Sequence, residues 1–97
     1  MNYDIHRGAE LDLREAARFY RREGGLKLAS RFLDEFERVA ALLVEHPGFG
    51  TLVDDLRRAY PLRDFPYSVI YSNSEGRVRV LVVRSQHRDP EYGEVRR

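Results

Sequence analysis

The chain has 97 residues, a formal net charge of +1, and 42% apolar against 34% charged residues, the balance of one soluble globular domain spanning 1–97. It has no cysteine, which excludes a disulfide framework and a thiolate metal site, and its near-neutral charge argues against a nucleic-acid binder driven by bulk charge. The longest clean apolar run, Val39–Val44, is too short to span a bilayer, and the start "MNYDIHRG" lacks the basic-then-apolar layout of a secretory leader.

In chain order, "YDIHR" (3–7) alternates as a short first strand with Tyr3 and Ile5 on one face, and Gly8 ends it. From Ala9, the residues Leu13, Ala16, Ala17 and Tyr20 recur at helical spacing among charged neighbours, predicting an amphipathic helix to about Arg22. "EGG" (23–25) supplies a C-cap and a tight turn. A longer helix follows, because Leu28, Phe32, Phe36, Val39 and Leu43 step by three or four residues, and Leu33 and Ala40 widen the stripe. "HPGFG" (46–50) terminates it. So short a turn between two helices favours an antiparallel α-hairpin.

The pattern then changes to strands. "LRRAYPL" (56–62) reads as one, with Pro61 marking a bend, bulge or edge. "YSVIYS" (67–72) is aromatic and β-branched, "NSEG" (73–76) is hairpin-turn chemistry, and "RVRVLVVRS" (77–85) is the return strand. Val78, Val80 and Val82 are expected on one face; Leu81 and Val83 make the other face apolar too, so the far end should be covered on both sides. The sum is an α+β fold: an N-terminal strand, an α-hairpin, and a three-stranded antiparallel meander completing one sheet.

No phosphate-cradling glycine loop or nucleophile elbow is present, and His6, His46 and His87 lack the spacing of a metal site, so neither metal nor cofactor is expected. The candidates for chemistry lie at the strand ends: Arg63, Asp64, Arg84, His87, Arg88 and Tyr92. Metal-free RNA cleavage needs a base, an acid and cations around the phosphorane; His87 and Tyr92 suit the first two roles, Arg84 and Arg88 the third. The plainer reading pairs Arg84 and Arg88 with Asp64, Asp89 or Glu91 and leaves Tyr92 covering the sheet edge. Phe19, off the main stripe, and Phe49, after a glycine, are candidates for exposed partner contacts.

The order of these elements, with "ELDLREAARFY", "ASRFLDEFERVAALLVEHPGFG", "RDFPYSVIY" and "RVRVLVVRSQHRDPEY", resembles the ParE/RelE superfamily of toxins from bacterial type II toxin–antitoxin modules over nearly the whole chain. The resemblance implies a cytoplasmic toxin with a cognate antitoxin that clamps it by groove and edge-strand contacts. It implies one of two activities: inhibition of DNA gyrase on the ParE side, or ribosome-dependent cleavage of messenger RNA on the RelE side. Arg63, Arg84 and Tyr92 fall where RelE-like members place cationic and aromatic groups. Ser85, however, stands where similar relatives carry histidine, and the second helix holds more acids than bases. These departures favour the gyrase-directed branch, with Phe19, Phe49, Arg84, His87, Arg88 and Tyr92 as target- or antitoxin-binding residues.

Overall fold

The computed structural model describes residues 3–97; Met1 and Asn2, the first two of the expected domain range, lie outside the described residues. Strand β1 (Tyr3–Ile5) leads into a helical segment, Arg7–Glu45, followed by β2 (Thr51–Leu52), β3 (Arg57–Pro61), β4 (Tyr67–Ser74) and β5 (Arg77–Ser85). The helical segment is broken at Gly25, whose φ of 80° and ψ of −175° belong to a region open essentially to glycine alone. We call its two arms α1 (7–24) and α2 (26–45). The arms fold back on each other: the Tyr20 and Phe32 rings are 5.2 Å apart, whereas twelve residues of straight helix would put about 18 Å between them. The reversal therefore needs one glycine rather than the expected turn of two or three residues. At the other end, His6 caps α1 by accepting the Gly8 N–H on Nδ1 (2.9 Å), so the helix begins at Arg7, with Gly8 inside its first turn.

The sheet has five strands in the order β1-β5-β4-β3-β2. β3, β4 and β5 pair antiparallel in sequence, as a meander. Two details depart from the expected description. β2 adds a two-residue fifth strand beside β3, and β1 runs parallel to β5, so the sheet is mixed. A two-residue strand between glycine and acidic loops leaves almost no alternation to read, and strand direction is set by the α1–α2 crossover rather than by residue pattern.

Beneath the helices lies one core, in which Leu13, Phe32, Phe36, Val39 and Leu43 meet Val69, Tyr71, Val78, Val80 and Val83. Phe32 also packs edge-on to Phe65 (5.3 Å) and Tyr67 (5.3 Å), joining the turn-proximal half of the hairpin to the sheet. Leu33 does not join this stripe and stays 38% exposed. The β5 faces also differ from simple alternation. Ile70 pairs with Val82 and Tyr71 with Val80, leaving Leu81 as the extra residue of a β-bulge. Beyond it, Val83 and not Val82 faces the helices, while Leu81 and Val82 join Ile70 in a second cluster on the far face. That far face is buried as well; Tyr92 and Ala59 pack against it.

Candidate functional site

β1 ends at Ile5, its last contact with β5 being the His6 N–H to the Val80 carbonyl (2.8 Å). From Leu81 onward, the outer edge of β5 has no strand beside it among the described residues. Side chains take over its backbone groups instead. The Asp12 carboxylate, on α1, accepts the Val83 N–H (3.0 Å), and Arg96 donates to the Leu81 carbonyl (3.1 Å). The two side chains also bond to each other, Arg96 Nη1 to Asp12 Oδ2 at 2.7 Å. Tyr92 completes the group by donating its hydroxyl to Asp12 Oδ1 (2.5 Å) and accepting from Arg96 Nη2 (3.1 Å). A buried aspartate thus gathers three donors, two of them from the last six residues, which satisfies the demand that a buried charge be paired.

The segment after β5 is shaped by this attachment. Residues 89–96 turn through successive i→i+3 backbone bonds: Tyr92 N–H to Asp89, Glu94 N–H to Glu91, and Arg96 N–H to Gly93, each 3.0 Å. Gly8 provides the seat: a Cβ there would lie 2.5 Å from the Arg96 guanidinium carbon, so any larger residue would make the arginine shift from its place across the start of α1. The hydrogen bond to Asp12, together with burial, raises the Tyr92 phenol above its usual range. Burial alone works against the Arg96 charge, but its bonds to Asp12 and Tyr92 outweigh that and raise it. Both groups are held in their protonated forms by the same carboxylate.

Next to this cluster, between α1 and the end of β5, is a cleft of about 170 Å³ lined by Phe19, Arg22, Tyr67, Ser85, Arg88 and Tyr92, with Asp12 at its base. Arg88 lies over the Tyr92 ring, 4.2 Å from its centroid, a cation–π contact that fixes a charge at the cleft mouth. Phe19 forms part of the wall and is 43% exposed. Arg84 donates to the Pro90 carbonyl (2.8 Å), which ties β5 to the turn that follows it. His87 is exposed, with its backbone N–H on the Ser85 hydroxyl (3.2 Å).

Of the sequence candidates, the structure brings Phe19, Arg88 and Tyr92 to this cleft, with Arg84 and His87 on the adjoining turn. Arg63 lines a separate cleft with Arg31, Asp34, Glu35 and Arg38, where its backbone N–H donates to Glu35 (2.6 Å). Phe49 is elsewhere again, 57% exposed in the loop before β2 and stacked on His46 at 4.5 Å. Neither arginine makes the carboxylate pairing considered from the sequence: Arg84 finds a carbonyl and Arg88 an aromatic face. Two residues central to the site, Asp12 and Arg96, were absent from the candidates. Asp12 carried a readable signal, because it sits on the helix face of Ala9, Leu13 and Ala16, where an acid must be partnered. Arg96, among arginines in a polar tail, carried none.

The fold is similar to that of a solved structure titled chromosomal ParDE TA system from P. aeruginosa. The match has a TM-score of 0.76 at 19% identity and covers 88% of this chain and 95% of that one, a likeness of fold. No curated protein matches the sequence significantly. The family model described as ParE toxin of type II toxin-antitoxin system, parDE, matches residues 3–90, and the chain belongs to that family.

Proposed function

We propose that the protein acts by binding: it inhibits DNA gyrase through the surface at the end of β5 and is neutralised in the cytoplasm by a cognate antitoxin. The observation that carries this reading is the commitment of Tyr92. Its hydroxyl proton points to Asp12, its oxygen accepts from Arg96, and its ring supports Arg88. A phenol so engaged is a structural strut, and a general acid or base must reach the proton it transfers. Of the cations considered for a phosphorane, Arg84 is tied to the Pro90 carbonyl and Arg63 stands in another cleft, which leaves Arg88 beside Tyr92. What the geometry does offer is a fixed surface of Arg84, His87, Arg88 and the Tyr92 edge beside exposed Phe19, with aromatic and arginine anchors of the kind that dominate protein–protein interfaces.

Family membership supports an antitoxin partner. Phe49 and its exposed apolar neighbours Leu52, Val53 and Leu56 lie at the β2 side, and they form a second surface such a partner would cover. No helix among the described residues is long and apolar enough to cross a membrane.

The test is induction of the chain without its antitoxin, with DNA and protein synthesis followed by pulse labelling. DNA synthesis is expected to stop first, with transcripts intact. Early arrest of translation with mapped cuts in messenger RNA would replace this reading by the nuclease one.

A further inference from the structure

We infer that residues 86–97 form a latch, keyed by Asp12, that opens as one unit from an otherwise intact fold. Beyond Gln86, whose N–H bonds the Pro66 carbonyl, the backbone hydrogen bonds of this segment run to itself or to Ser85. Its attachments to the rest of the molecule are made by side chains: Tyr92 and Arg96 on Asp12, Arg96 on the Leu81 carbonyl, and Arg79 and Arg84 on the carbonyls of Arg97 and Pro90. Three of these five contacts pass through one aspartate or its arginine partner, so they fail together. Such an arrangement gives a cooperative unit of low local stability set upon a more stable sheet.

Opening has defined consequences. It strips two of the three donors from Asp12, uncovers the Leu81 carbonyl on the β5 edge, and exposes part of the far-face cluster of Ile70, Leu81 and Val82. It also dismantles the surface proposed above for target binding, since His87, Arg88 and Tyr92 ride on the segment. The closed latch is then the binding-competent state, and any condition that opens it lowers apparent target affinity by the fraction of molecules left closed. This last consequence rests on the target reading; the latch itself rests on the hydrogen bonds alone.

Amide hydrogen exchange on the free full chain tests the latch without a target present. The Val83 amide serves as the reference, because its acceptor Asp12 stays on α1 when the segment leaves. The amides of Tyr92, Glu94 and Arg96 are expected to share one opening free energy, with faster exchange and a weaker urea dependence than the amides of Val83 and β4. Tyr92→Phe, which removes one hydroxyl and leaves the ring, should accelerate these three by about ten- to hundredfold, the range carried by a lost hydrogen bond to a charged group, and leave their urea dependence weaker than that of β4. Asp12→Asn should have the larger effect. If the tail amides instead exchange with the rate and urea dependence of β4, or if Tyr92→Phe leaves them unmoved, the latch is refuted. Gyrase inhibition, measured separately, reads only whether the closed latch presents the target surface.

Discussion

Replacing Asp12 by alanine removes the carboxylate on which the β5 edge and the C-terminal segment converge. Its side chain is 4% exposed and that of its partner Arg96 16%, so the pair is far from the solvent-screened limit. Breaking a buried pair by deleting one partner costs about 3–5 kcal/mol, because the other charge is stranded. Partial exposure lets Arg96 recover water, which places the charge contribution toward the lower end. The Val83 N–H keeps no protein acceptor, and an unpaired buried donor costs about 1–3 kcal/mol where water does not enter. We expect a net loss of about 3 kcal/mol, against a total of about 5–15 kcal/mol for a domain of this kind. At about 4–8 °C per kcal/mol for this chain length, the melting temperature should fall by about 12–24 °C in calorimetry. Arg14→Ala, which breaks an exposed 3.9 Å pair with Glu10, should leave it unchanged. A loss below about 1 kcal/mol for Asp12→Ala, the level of a surface pair, would refute the view that this carboxylate holds the end of the chain.

Other consequences follow from single residues. Gly25→Ala meets open space, so its cost is pure backbone strain of about 1–3 kcal/mol, measurable as a reduced urea midpoint with unchanged m-value. Tyr71→Phe removes a buried hydroxyl that accepts from the Gly50 N–H (2.9 Å) and donates to the Pro47 carbonyl (2.6 Å); a loss of about 1–3 kcal/mol and faster exchange of the 46–50 loop are expected. The His6 imidazole is held below the ordinary histidine range by burial and then by Arg79 and Arg96. Protons therefore bind the unfolded chain first, and its contribution is complete above the unfolded value of about 6.5 and is lost as pH falls through that value to the lower folded one. Urea midpoints should decline between about pH 7 and pH 5 in the wild type, and His6→Asn, a capping residue that does not titrate, should lack that step.

The parts legible in the sequence were those governed by periodicity. Phe32, Phe36, Val39 and Leu43 mark a buried helical face by spacing alone, and all four are core residues. "NSEG" marks the β4–β5 hairpin because its turn needs positive φ, found at Glu75 and Gly76. Periodicity failed where one residue changes the phase. The bulge at Leu81 sends Val82 to the far face and Val83 to the near one, and nothing in four consecutive apolar residues marks the slip. β1 gave its position but not its direction, which follows from the crossover.

The site was legible in outline at the end of β5, from the change of "VLVV" to a polar cluster. Its organisation depends on contacts between residues more than seventy positions apart, such as Asp12 with Val83 and Tyr92, and local pattern contains no record of them. The acid on the apolar side of α1 was the one available clue. Its donors could be found only once the fold had brought the tail across the edge of β5.

The central claim, that this ParE-family chain works by binding gyrase, is tested most directly by titrating the purified protein into a gyrase supercoiling reaction. Supercoiling is expected to fall with increasing protein, and an Arg88→Glu variant that keeps the wild-type melting temperature should inhibit less. Undiminished supercoiling at micromolar wild-type protein would contradict it.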